Sequence, residues 1–419
     1  MKRTLIVLAV VLTACMAWSG ERVRFMCANH TITDAFKILL ADFEKETGIK
    51  VELESLGEEQ LTQKLSVEFS AGSSDIDVFM TRPLQEGRLF ARNRWYEDLT
   101  PYVSGDASYD FADFTPGSVA ATKVGDVQCS IPLSTEVQVM YYRKDLLAEK
   151  GIAPPETFEE LEKAAALLTD KNKEIYGFLS RGQRNPLITQ FSSYVYGYGS
   201  DWYDFDTNKS LVDTPEFIEA VGFYGEMLRK YGPPGSLNMG WPQAVAVFAQ
   251  GKAAIYTDGG ATFPSLLDPA KSTVAEVTGI AMFPAGPKGR KMYAVTPWAI
   301  AMSSSSKNKD ASWKLIRYLT DKERTLLMQG TYANPCARLS VYNMPEGVKT
   351  FPKDFVKAFN DSTPYAVPYD RPLVTAVVEA RDIIGETVTT AISGGDYAQA
   401  AKVASQRFQE ILDREALEK

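Results

Sequence analysis

The sequence predicts an α/β fold in two parts. Strands and helices alternate along most of the chain, and glycines stand where helices must stop. At 419 residues the chain has room for two domains or one large two-lobed unit. Val23–Cys27 reads as a first strand. In Thr33–Thr47 the apolar residues fall at 36, 39, 40 and 43, which is helical spacing, and Gly48 is placed as the C-cap. Ile49–Leu53 alternates as a second strand, a helix covers roughly Gln60–Ser70, and Ile76–Met80 is a third, apolar strand. Repeated strand–helix–strand units predict a mainly parallel sheet covered by helices on both faces. Ligands bind such sheets beyond the carboxyl ends of the strands, here Asn29–His30 and Thr81–Arg82.

The pattern continues past the middle of the chain. Strand-like alternation crosses from Pro132 through Glu136 to Tyr142, and a helix opening near Lys144 is stopped by Gly151. Thr157 and Glu160 form a capping box for a helix over Phe158–Leu168. Tyr194–Trp202 is rich in glycine and aromatics, and Pro215–Tyr231 is a long amphipathic helix. A strand ends at Ala299–Met302, and a polar turn leads to a helix over Ser312–Leu319. Val374–Leu417 is mostly helical, with breaks expected at Gly385 and at Gly394–Gly395.

Composition excludes several classes. With 45% hydrophobic and 23% charged residues the chain is not disordered. A net charge of −8 argues against nucleic acid and anionic lipid, both of which select basic faces. Met1-Lys2-Arg3 followed by the apolar Thr4–Ala14 reads as an export leader, too short to span a bilayer. Its cleavage reads in two ways. Leu12-Thr13-Ala14-Cys15 fits a lipoprotein box with lipid on Cys15, and Ala17-Trp18-Ser19 fits ordinary cleavage after residue 19. Either way the protein leaves the cytoplasm. The other cysteines, 27, 129 and 336, allow at most one disulfide and form no CxxC pair.

Catalytic equipment is sparse. His30 is the only histidine, which excludes HExxH zinc sites and argues against a Ser-His-Asp triad. There is no GxSxG elbow and no Walker loop, and Gly197-Tyr198-Gly199 lacks the third glycine of a dinucleotide fingerprint. No cluster points to a metal, and no cofactor is expected. Paired carboxylates for sugar hydrolysis remain open, because acidic residues occur throughout.

One segment combines rigid turns with aromatics: Tyr231-Gly-Pro-Pro-Gly235, then Gly240-Trp241, Phe248–Ala254 and Asp258. It resembles the extracellular solute-binding proteins of ABC importers, family 1, and is most similar to the branch that takes up sugars and sugar alcohols. Phe43–Val51, Tyr141–Leu146, Trp298–Met302 with Ser306–Asp310 and Trp313, and Asp370-Arg371-Pro372 resemble family segments in the same order. The resemblance implies two α/β lobes with a ligand cleft at the hinge. The first lobe would comprise residues 20–135 and about 292–340, the second 136–291 and about 341–419. It also implies a monomeric, non-catalytic receptor that closes on a carbohydrate or polyol and docks on the permease subunits of the transporter. A secreted hydrolase and a sensory module for a receptor kinase are the alternatives.

The resemblance, together with the strand-end rule, nominates ligand residues. Trp241 offers a flat face to a sugar, or fills the core. Asp258 accepts hydroxyl hydrogen bonds, or caps the next helix. Gly259 lets the backbone approach the solute. Trp298 stands where the family often stacks an aromatic on the solute. Asn29 and His30 contact the ligand or merely start a helix. Arg82 is a ligand residue or a solvated charge, and Glu136 a ligand residue or half of an ion pair. Trp202 and Arg338 complete the set. After Asp258 the chain departs from the polyol branch, running Gly259-Gly260-Ala261-Thr262. That alters the cleft floor and leaves the solute open among sugars, polyols and sugar acids.

Overall fold

The computed structural model describes residues 21–417, so the leader, both cleavage readings and Cys15 lie outside the described residues. Two sheets organise the chain. The first runs in the order Lys50–Leu56, Arg22–Ala28, Val78–Thr81, Ala299–Met302, Ile131–Pro132. The second runs Ala366–Val367, Met292–Val295, Glu136–Arg143, Ala253–Gly259, Tyr176–Leu179, with Thr278–Met282 also paired to Glu136–Arg143. Each sheet has its own core. Phe25, Phe36, Phe79 and Ile300 pack in the first, and Tyr141, Phe191, Phe248 and Ile384 in the second.

The opening unit forms as its spacing predicts. Helix Thr31–Thr47 buries Phe36, Leu39, Leu40 and Phe43 against the sheet. Gly48 closes it at φ +74°, a left-handed conformation that glycine adopts without a Cβ clash, and its N–H donates to Glu44 O.

The sheets are mixed rather than mainly parallel. Strand 22–28 pairs parallel with 50–56 and 78–81, but 299–302 runs antiparallel to both of its neighbours. Strand 136–143 is antiparallel to 253–259, 278–282 and 292–295. The chain path explains this. The strands set against their neighbours are those that carry the chain from one lobe to the other. Their alternation looks like that of any other strand, so direction could not be read from it.

Three segments cross between the lobes: 133–135, 296–298 and 333–338. They are laced side by side. The N–H groups of Leu133 and Ser134 both donate to Trp298 O, at 3.0 and 3.3 Å, and Thr135 N–H donates to Pro335 O at 3.0 Å. Strand Met292–Val295 lies in the second sheet, so the second crossing starts at Thr296 and not at 292. At the third crossing Ala337 packs in the first core, while Cys336 and Val341 pack in the second.

Gly385 does not break a helix. Helix Val377–Ile392 passes through it, and a Cβ there would lie 2.1 Å from Arg184 O, so the glycine permits close packing. The break falls at Gly394, φ +78°, before helix Tyr397–Leu417. Among the described residues, no helix is long and apolar enough to cross a membrane. Cys27, Cys129 and Cys336 are buried free thiols.

Candidate functional site

The cleft lies beside the three crossings. On the first-lobe side, His30 caps helix 31–47. Its Nδ1 accepts from Ile32 N–H, so Nε2–H is left as a donor. Burial holds the imidazole below its usual pKa, against the pull of Asp34, and the ring is neutral at pH 7. The His30 and Trp298 rings are 5.9 Å apart, and the Arg82 guanidinium lies 5.9 Å from the Trp298 ring centre. Arg82 is an anchored group. It bonds Glu59 at 3.0 Å, Glu86 at 3.2 Å and Thr62 Oγ1 at 2.9 Å. Asn29 is exposed at the end of strand 22–28. The strand-end rule therefore brings Asn29, His30 and Arg82 to one edge, with Trp298 beside them.

The second-lobe side is a charged network. Asp258 is fully buried and its oxygens are taken. Arg181 grips it at 2.5 and 2.9 Å, Gln190 Nε2 donates at 2.8 Å, Tyr256 Oη–H at 2.5 Å and Gly259 N–H at 2.7 Å. It is thus neither a free acceptor for ligand hydroxyls nor a helix cap. Its strand position was read correctly, but the arginine that saturates it lies far away in sequence. Gly259 also has a different use. A Cβ there would sit 2.0 Å from Glu136 Oε1, so the glycine makes room for that carboxyl rather than for a solute. Glu136 follows directly on the first crossing. Burial pushes its carboxyl up to about 7, reinforced by Asp258 and Asp370 and opposed by Arg181.

Two nominated residues lie elsewhere. Trp202 is wholly buried in the second core, with Nε1–H donating to Tyr196 Oη at 3.2 Å and its ring against Phe191 and Phe217. Aromatic richness there reflects core filling. Arg338 is wholly buried in the first lobe. It donates to the carbonyls of Thr320, Asp110 and Tyr109 at 2.8, 3.0 and 3.0 Å, pairs with Asp113, and lies over Phe114. It knits the first lobe and does not face the cleft. Trp241, at the start of helix Trp241–Ala249, is 50% exposed and has no ring contact among the described residues.

Arg181, Arg371 and Arg381 were not anticipated as site residues. Asp370 is buried beneath Arg371. Burial alone would raise its carboxyl, but the guanidinium outweighs that and holds it below the usual range. Signals existed. Arg181 lies just past the carboxyl end of strand Tyr176–Leu179. Arg381 takes a core-facing position, in register with Val377, Ile384 and Val388.

A cavity of about 190 Å³ is bordered by Pro83, Gln85, Pro368 and Tyr369. A larger cavity of about 590 Å³ lies further out, between Arg88 and Tyr96 on one lobe and Tyr203 and Leu412 on the other. None of the nominated residues lines it.

The profile of the family described as bacterial extracellular solute-binding protein matches residues 29–324. The chain belongs to that family. A similar relative is the erythritol/L-threitol-binding protein of Mycolicibacterium smegmatis, 28% identical over 350 residues, covering 78% of this chain and 72% of that protein. The mannitol-binding protein of Pseudomonas aeruginosa is 27% identical over 315 residues, covering 74% and 69%. Among solved structures, an ABC transporter solute-binding protein of Agrobacterium radiobacter in complex with ribitol superposes with a TM-score of 0.82. It is 26% identical, covering 93% of this chain and 98% of that one. A counterpart from Agrobacterium vitis with bound D-mannitol has a TM-score of 0.77 at 27% identity, covering 95% and 99%. The two-lobed architecture of the family is the one built above from the two sheets and three crossings.

Proposed function

We propose that this solute-binding protein captures a small polyhydroxylated carbohydrate, a sugar, a sugar alcohol or their derivative, between its lobes and delivers it to an ABC permease outside the cytoplasm. The observation that carries this reading lies at the crossings. Each crossing segment holds a buried polar atom with no hydrogen-bond partner among the described residues: Ser134 Oγ, Thr296 Oγ1 and Asn334 Nδ2. Gln138 Oε1 and Arg381 Nε are in the same condition. Folded proteins pair nearly all such atoms, and an unpaired one is costly. A solute dense in hydroxyls, each both donor and acceptor, satisfies such a set. Trp298, 5% exposed where it packs in the first core and flanked by His30 and Arg82, offers the flat face on which a sugar's C–H groups pack. The ribitol, mannitol and erythritol named for the relatives fit this chemistry.

Closure follows from bonds that span the cleft. Gln85 of the first lobe accepts from Arg371 and Arg381 of the second. A ligand touching both lobes favours the form in which these contacts exist, and that form is the one presented to the permease. Hydrolysis is not supported. A glycosidase needs two available carboxylates, whereas Asp258 and Asp370 are each clamped by an arginine, leaving Glu136 alone. The test is a thermal-shift screen of the mature protein against polyols, monosaccharides, disaccharides and sugar acids. A ligand at 100 times its Kd adds about 2.7 kcal/mol of stability. A hit recovered chemically unchanged supports the reading, and silence across the panel refutes it.

A further inference from the structure

Two guanidinium groups converge on one neutral oxygen across the cleft. Arg371 Nη1 donates to Gln85 Oε1 at 2.6 Å, and Arg381 Nη1 donates to the same oxygen at 3.1 Å. Their Nη2 atoms share Thr189 Oγ1, at 3.3 and 3.4 Å. The two cations differ in how they are compensated. Arg371 holds Asp370 through two bonds of 2.6 Å. Arg381, only 7% exposed, has no carboxylate within ion-pair distance among the described residues. Its Nη2 donates to Asn185 O at 2.9 Å, and its Nε has no partner. Arg371, Arg181 and Arg82 all act against its charge, and Asp370, already engaged, is the carboxylate that offsets them.

A buried cation without a counter-ion is costly, and a neutral amide oxygen compensates it weakly. An ionised carboxylate on the same two donors makes charge-assisted bonds, which are shorter and about twice as strong. Gln85 also borders the 190 Å³ cavity.

We infer that the solute is acidic: a sugar acid whose carboxylate lies between Arg371 and Arg381, taking the place of the Gln85 amide oxygen, with its hydroxylated chain running toward Trp298. One uncompensated cation matches one negative charge. A phosphate carries nearly two. This inference rests on the reading of the cleft as a carbohydrate site.

The experiment is calorimetric titration of the mature protein with a matched set: mannitol, mannonate, glucuronate and mannitol 1-phosphate. The expected result is that a sugar acid binds at least ten-fold more tightly than its neutral counterpart. Arg381→Met should bring the ratio of acid to polyol affinity close to one. Gln85→Glu places a carboxylate of the chain between the two arginines and should lower the same ratio to one or below, which keeps the test open if Arg381→Met does not fold. A polyol that binds as well as its acid overturns the inference and leaves the carbohydrate site standing. A preference for the phosphate overturns the choice of carboxylate. Failure of all four, and of every other carbohydrate tried, overturns both readings.

Discussion

Arg338 and Arg381 are both buried arginines, yet their surroundings differ. Around Arg338 every guanidinium nitrogen donates: three backbone carbonyls and Asp113 surround it, and it lies over the Phe114 ring. Around Arg381 the acceptors are neutral, one comes from the opposite lobe, and Nε is unused. Burial is nearly the same in both. Saturation separates a residue that holds a lobe together from one that is left to meet a ligand.

The largest expected effect is on the saturated side. Arg338→Met strips the ion partner from Asp113 and removes a donor from each of three backbone carbonyls. Breaking a buried pair in this way typically costs about 3–5 kcal/mol. Denaturant unfolding checks it, and a loss below about 1 kcal/mol would contradict the structural role. Trp298→Ala comes next. Removing the ring should weaken solute binding about ten-fold, ~1.4 kcal/mol, as read by calorimetry.

Glu136 gives a pH-dependent effect with a definite sign. Its folded pKa, about 7, lies above the ordinary glutamate value. The folded state therefore keeps a proton that the unfolded state has lost. The favourable term is present at acid pH and is lost as pH rises from about 4.5 to 7, by up to about 1.4 kcal/mol per unit. Glu136→Gln should flatten that part of the stability profile, measured by thermal unfolding from pH 4.5 to 8. An unchanged slope would show that the carboxyl titrates normally. The smallest effect is expected for Arg381→Met. It orphans no carboxylate, so stability should stay within about 1 kcal/mol of the wild type, in contrast to Arg338→Met.

Much of the fold was legible because its signals are local. Gly48 as a left-handed cap and Thr157 as an N-cap depend on residues a few positions away, and both formed, although the Glu160 side chain accepts from Glu156 N–H and not from Thr157, so the capping box is only half made. The direction of strands 299–302 and 136–143 was not legible, because it is set by the path between lobes. The site divides in the same way. Asn29, His30 and Arg82 are strand-end residues, so local pattern places them together at one edge. Asp258 was expected to be free because its clamp, Arg181, is distant in sequence and adjacent only in the fold. Trp202 and Arg338 look like site residues by type, and only burial with full partnering assigns them to the cores.

The proposed function requires a solute to bind between the lobes, beside the crossings. Hydrogen exchange with and without a stabilising carbohydrate tests it most directly. Exchange should slow on both sides of the cleft at once, at residues 28–31, 82–86, 133–138, 296–298 and 370–372, with the Arg338 region unchanged. Protection confined to one lobe, or centred on the outer cavity near Arg88 and Leu412, would contradict it.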